Sequence, residues 1–285
     1  MSDDMVAPMG PAVAPGMYPD MGESEYFALH AFSNSAASRL LMSEAHYHHY
    51  RLHGIEQTPA MLLGKLVHTL VLEPELANVR YAIKPDCDRR TKDGKAAYEA
   101  FLAEKGSRDE VSANDVGQAR SIAAAVAAHP AASIILKGLE TEVSILWQQH
   151  GIPCKARIDL PRTALLADLK TTNDASKSAF ARSCATLGYH RQAAHYLDGY
   201  EAVTGDKPAG MLFVVVEKEP PYAVGVYELD DIELGRAQIA RAAKRWHEYW
   251  DAPDDDRRIV NGYSPLVERI ALPQWIHYQE QEQSA

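Results

Sequence analysis

The apolar positions of this chain change their period near residue 138. Before it, "FSNSAASRLLMSEAHYHHYR" places apolar residues three and four apart behind a Ser/Asn cap, and "TPAMLLGKLVHTLVLEPE" predicts a second, strongly apolar helix ending near Pro74. "KPDCDRRTKDGKAAYEAFLAEKG" opens as a polar, basic loop and turns helical, while "SANDVGQARSIAAAVAAHP" reads as a capped, Ala-rich helix that stops before Pro130. After residue 138 the runs are of strand length. "TEVSILWQ", "IPCKARIDL" and "TALLADLKT" predict three adjacent, mostly antiparallel strands. Two helical stretches follow, "SKSAFARSCATLG" and "YHRQAAHYLDGYEAVTG", then strands "AGMLFVVVEK" and "YAVGVYEL", then a long helix from Ile232 to Trp250. Strands and helices alternating in one contiguous segment predict an α/β fold: a central mixed sheet flanked by helices, with the N-terminal helices packed onto it. Residues 1–22, rich in Met, Pro, Gly and Ala without a period, read as a flexible leader. The remainder, 23–285, reads as one domain with a helical part (23–138), an α/β core (139–251) and a Pro- and charge-rich tail (252–285).

Composition narrows the classes. With 46% hydrophobic residues in 285, the chain can bury a sizeable core. Its 29 Lys+Arg against 39 Asp+Glu, a formal charge of −10, argue against non-specific coating of nucleic acid but leave room for a local basic groove or a metal site. Cys87, Cys154 and Cys184 are too far apart for a zinc or iron–sulfur spacing and too few for a disulfide framework, so a reducing cytoplasm is expected. The start, "MSDDMVAPMG", is acidic where a signal peptide is basic, and no apolar run reaches the ~18 residues of a membrane span. Neither export nor a membrane partner is expected.

The chemistry concentrates in "RIDLPRTALLADLKTT". Asp159 ends one strand, and Asp168 and Lys170 share a face of the next, because residues i and i+2 of a strand point the same way. Charges drawn together in a half-buried sheet need a compensating partner, and for two carboxylates that partner is a hard divalent cation. The same spacing also describes a solvated hairpin. His68 on the helix "GKLVHTLVLE", Glu142 on the strand preceding the pair, and Gln192 with Tyr196 one turn apart on the following helix add to the constellation. His46 and His49 of "HYHHY" lack a placed carboxylate and read as a wet helix face; His190 and His195 are read the same way.

In these residues the chain resembles the RecB-like branch of the PD-(D/E)xK nuclease superfamily, above all its RecE-type (exonuclease VIII) members. The likeness runs from about Phe32 to Trp250 and includes "FSNSAASRLLMSEAHY" and "DRRTKDGKAAYEAF". It places the metal-binding triad on Asp159, Asp168 and Lys170, an upstream histidine on His68, and a Gln-x-x-x-Tyr motif on Gln192 and Tyr196. "RID" stands where the family has Pro-Asp, and Asp168 where many members have Glu. The resemblance implies Mg²⁺, with Mn²⁺ as a substitute, held by Asp159, Asp168 and the carbonyl of Leu169. Lys170 would orient or help deprotonate the attacking water. His68 would bind a second ion with Glu142, directly or through water, and Gln192 and Tyr196 would position the lysine or a DNA phosphate.

The expected activity is an exodeoxyribonuclease that degrades one strand of linear duplex DNA, 5′ to 3′ by resemblance, in phage-type recombination with an annealing partner of RecT type. An endonuclease or nickase of the RecB-like kind, or a silent DNA-binding module, are the alternatives. Arg89, Arg90, Lys92 and Lys95 form a basic cluster suited to phosphates, with Lys177, Arg182 and Arg191 nearer the catalytic strands. A ring-shaped homo-oligomer, a tetramer by resemblance, is expected, with Trp246, Tyr249 and Trp250 either at its interface or packed on their own sheet.

Overall fold

The computed structural model describes residues 14–137, 140–253, 262–264, 266–274 and 276. Residues 1–13 of the expected leader, the boundary at 138 and 139, and most of the tail lie outside the described residues. The first half carries β1 (Gly16–Tyr18), α1 (Glu23–Ala28), α2 (Asn34–Met42), α3 (Glu44–His53), α4 (Pro59–Leu72), α5 (Ala77–Arg80), β2 (Tyr81–Ile83), α6 (Lys92–Lys105), β3 (Asp109–Val111), α7 (Ala113–Ala128) and α8 (Pro130–Ile135). The second half carries β4 (Val143–Gln149), β5 (Ile152–Ile158), β6 (Leu165–Thr172), α9 (Lys177–Leu187), α10 (Tyr189–Thr204), β7 (Gly210–Glu217), β8 (Val224–Glu228) and α11 (Ile232–Asp251).

Local chemistry sets the helix ends. Ser33, Ser43, Thr58, Thr91 and Ser112 each accept a backbone N–H of the first turn, and Asp115 completes a capping box with Ser112. Ser43 therefore splits into two helices the stretch whose period reads as one.

The sheet has two halves. β1, β4 and β5 pair antiparallel; β6 pairs parallel with β7, and β7 antiparallel with β8. The parallel β6–β7 pair requires a crossover, which α9 and α10 supply. The halves meet where Leu160 and Ala167 exchange backbone hydrogen bonds of 3.2 and 3.1 Å. Apolar alternation packs both faces: Leu166, Phe213 and Val215 join Phe32, Leu40, Ile158 and Trp246 on one side, while Leu169, Val214 and Val216 meet Leu66, Val67 and Ile122 on the other. A mixed sheet between helices is thus present, as expected.

Two expectations change, and of the two readings open for the end of α11 one holds. The final part of the expected leader is ordered, since Gly16–Tyr18 covers the free edge of β4 and Met21 is buried. β2 and β3 form a separate parallel pair that three-residue strands are too short to announce. Trp246 and Tyr249 face inward, against Phe32 and Tyr47, and Trp250 packs on the same core with Arg51 above its ring, so the end of α11 serves its own core.

Candidate functional site

The site lies where the two half-sheets part. After Leu160 and Ala167, a continued antiparallel ladder would give the Leu169 N–H to the Ile158 carbonyl. The side chain of Asp159 takes it instead, with Oδ2 at 2.9 Å from Leu169 N. Because N–H and C=O of one strand residue point to the same edge, the Leu169 carbonyl faces the same gap.

His68, from α4, brings Nδ1 to 3.4 Å from Asp159 Oδ2 and 3.7 Å from Glu142 Oε1. Ligand atoms of His68, Glu142 and Asp159 lie within 4.8 Å of one another. Glu142 stands just ahead of β4 rather than on it, with φ of 55°, and its N–H donates to the Asp159 carbonyl at 3.0 Å. Asp168, only 1% exposed, sits beside this group: Gln192 Nε2 donates to its Oδ1 at 2.6 Å, and Lys170 Nζ lies 2.5 Å from its Oδ2. Oδ2 is buried, with the Lys170 ammonium as its partner. Three converging O/N ligand atoms, a buried carboxylate beside them that is paired with Lys170, and a carbonyl facing the gap make a donor set that fits a hard divalent cation, with the imidazole better suited to Mn²⁺ than to Ca²⁺.

The electrostatics show how strongly these groups interact. Burial, then the neighbouring Asp168 charge, pushes Asp159 up to about 7. For His68 burial acts downward, yet the Asp159 and Glu142 carboxylates raise it to about 9. Burial would raise Glu142, but hydrogen bonding and charge from His68, then Arg157, lower it to about 2. Lys170 is opposed by burial and held well above its ordinary value by Asp168 and Asp159, with Tyr189 4.9 Å beneath its Nζ.

The expected site residues are therefore distributed unequally. His68, Glu142 and Asp159 converge; Asp168 and Lys170 pair with each other alongside; Gln192 holds Asp168 rather than the lysine. Tyr196 packs against the core and lines, with Gln192 and Lys155, a cavity of about 160 Å³. Its hydroxyl is pushed well above the usual phenol range, by burial first. Arg191 is a correction: it is 9% exposed and donates to Asn34, Ser38 and Gln238, so it ties α10 to α2 and α11 instead of facing a phosphate. His190 and His195 are buried, not wet; His190 Nδ1 lies 3.0 Å from the Cys184 carbonyl, and His195 Nε2 lies 3.1 Å from that of Lys155. Arg89, Arg90, Lys92, Lys95, Lys177 and Arg182 are exposed, with Arg89 stacked 4.6 Å over Tyr98. Sequence reasoning missed Lys155 and Arg157, whose alternation with core residues on β5 was the available signal.

The model of a family described as a PDDEXK-like domain of unknown function (DUF3799) matches residues 33–256. The chain also superposes on the crystal structure of a candidate exonuclease from Eubacterium rectale with a TM-score of 0.59. Sequence identity is 14%, and the match covers 88% of this chain and 96% of that one, a likeness of fold. No curated protein matches this chain.

Proposed function

This chain belongs to the PDDEXK-like family whose model spans residues 33–256, and from that premise we propose that it is a divalent-metal-dependent exodeoxyribonuclease acting on the ends of linear duplex DNA. The observation that carries the reading is the convergence of His68, Glu142 and Asp159 beside the Asp168–Lys170 pair. Asp159, Asp168 and the Leu169 carbonyl would hold Mg²⁺ or Mn²⁺, with His68 and Glu142 at an adjoining position. A cation held there supplies a more acidic water and offsets the charge that builds on phosphate during hydrolysis.

The chain's own groups have separable tasks. Gln192 fixes the Asp168 carboxylate through Oδ1 and leaves Oδ2 to Lys170. Lys170, kept as an ammonium by Asp168 and Asp159, orients the attacking water and meets negative charge on the scissile phosphate. Leu169, pinned by Asp159, keeps the gap between the half-sheets open. The exposed Arg89, Arg90, Lys92 and Lys95, with Lys177 and Arg182, supply contacts to DNA phosphates that do not depend on sequence. Degradation of the 5′-ended strand, a role in phage-type recombination beside a RecT-type annealing protein, and a cytoplasmic setting complete the proposal.

The test is end-labelled linear duplex against closed circular DNA, with Mg²⁺, with Mn²⁺ and in excess EDTA. Loss of label from linear DNA that requires the metal is expected, with circles intact. Full activity in EDTA would sink the metal assignment, cleavage of circles would favour an endonuclease, and metal binding without any cleavage would favour a silent DNA-binding module.

A further inference from the structure

The side chains of β5 alternate between two environments. Cys154, Ala156 and Ile158 fill the core. Lys155 and Arg157, followed two residues on by Asp159, take the opposite face. Both cations reach back to the segment before α2. Lys155 Nζ donates to the carbonyls of Tyr26 and Leu29, each at 2.8 Å, and Arg157 Nη1 donates to the carbonyl of Met21 at 3.2 Å. The other side of the Arg157 guanidinium faces the candidate metal centre, where Nε donates to Glu142 Oε2 at 3.1 Å.

The backbone of Glu142 is already held: its φ of 55° is left-handed and its N–H donates to the Asp159 carbonyl at 3.0 Å, so the direction of the carboxylate is left for the partners of the side chain to set. With Oε2 taken by Arg157, Oε1 is the oxygen that faces His68, at 3.7 Å. The planar guanidinium can fix both ends of this link because its donors have a fixed fork geometry, and the Met21 end is itself buried.

Resting on the reading of this group as a metal centre, we propose that Arg157 is a positioning residue for it: by clamping Oε2 of Glu142 to the N-terminal segment, it aims Oε1 at the point shared with His68 and Asp159. Position and charge then predict opposite signs. A cation beside Glu142 weakens attraction for a second cation, so an Arg157 that acted only through charge would lower metal affinity, and its removal would raise it. A clamp raises affinity, and its removal lowers it even when charge is kept.

Calorimetric titration of the full chain with Mn²⁺, without DNA, separates these, alongside melting temperatures taken without metal. Arg157→Gln and Arg157→Lys should each bind Mn²⁺ about 10–100-fold more weakly, the usual cost of removing an outer-shell partner. Glu142→Gln should lose affinity too, and the Arg157→Lys/Glu142→Gln double variant should be no weaker than Glu142→Gln alone, because both changes break one link. Unchanged or tighter binding by Arg157→Lys, or losses that add in the double variant, overturns the clamp while leaving the metal centre standing. If Arg157→Gln does not fold, Arg157→Lys and the double variant decide. A wild-type chain that binds no Mn²⁺ overturns the metal centre itself, and the clamp with it.

Discussion

Lys170 is where the two roles expected for a catalytic lysine separate. Its Nζ sits 2.5 Å from Asp168 Oδ2, and the carboxylates of Asp168 and Asp159 outweigh burial to keep it protonated at neutral pH. It therefore enters the reaction as a cation, and its contribution should appear mainly in the transition state. Lys170→Ala is expected to retain Mn²⁺ binding and lose turnover by ~10²-fold or more, whereas Asp159→Asn and Asp168→Asn lose the metal first. Turnover near wild type in Lys170→Ala would make the residue structural. His195 tests a different property, the neutral burial of an imidazole between Phe32 and Trp147. Burial drives it down to about 4 from 6.5, so between those values the unfolded chain takes up a proton that the folded chain refuses. Stability is unaffected above about pH 6.5 and falls as pH drops toward 4, by on the order of 3 kcal/mol from this group. Urea melts of wild type and His195→Gln at pH 7.5 and 5 should show a smaller pH difference in the variant; an equal difference would place the acid sensitivity elsewhere.

At the scale of elements, the joint between α9 and α10 controls Asp168 from a distance. Gly188 has φ of 75°, and a Cβ there would lie 2.1 Å from Arg191 Nη2. Arg191 locks α10 to α2 and α11, and the next residue, Gln192, holds Asp168. Gly188→Ala should therefore cost about 2 kcal/mol or more, from the left-handed backbone and the displaced guanidinium. It should also lower activity at a temperature where both proteins are folded. Denaturant midpoints and rates measured side by side check this, and an equally stable variant with full activity would show that the joint does not set Gln192. Such a joint is only half legible in sequence. The apolar period shows the helices and strands, and the i, i+2 rule puts Asp168 and Lys170 on one face, because both are local. The break between β5 and β6, the left-handed Glu142, and the grip of Lys155 and Arg157 on Met21, Tyr26 and Leu29 join residues more than a hundred positions apart or depend on backbone angles. A pattern read along the chain has no means to register them. The end of the leader is illegible for the same reason: Gly16–Tyr18 has no period of its own and is a strand only because β4 offers it an edge.

For the whole molecule, the proposed nuclease activity poses the difficulty of keeping hold of a polyanion. The net charge is −10, and the exposed cations proposed for DNA form two short groups, Arg89 to Lys95 and Lys177 with Arg182. Even there Arg90 is paired with Asp88, at 3.1 Å. A few phosphate contacts give weak, salt-sensitive binding, since each one releases roughly one counterion. An enzyme that must stay on one duplex through many cleavages then gains more from enclosing the DNA than from gripping it. Enclosure by copies of one chain calls for a head-to-tail contact whose rotation closes. With Trp246 and Tyr249 committed to the core, that contact cannot rest on those two rings. We propose a ring-shaped homo-oligomer, a tetramer by the resemblance to RecE-type nucleases, that digests each linear duplex to completion before taking another. Light scattering at working concentration should give a mass several times that of one chain. A trap of excess unlabelled duplex, added after binding, should leave the first round of digestion unchanged. A monomer whose digestion stops on adding the trap would refute the ring, and then the salt dependence of binding should carry the whole burden of retention, steepening loss of activity as ionic strength rises.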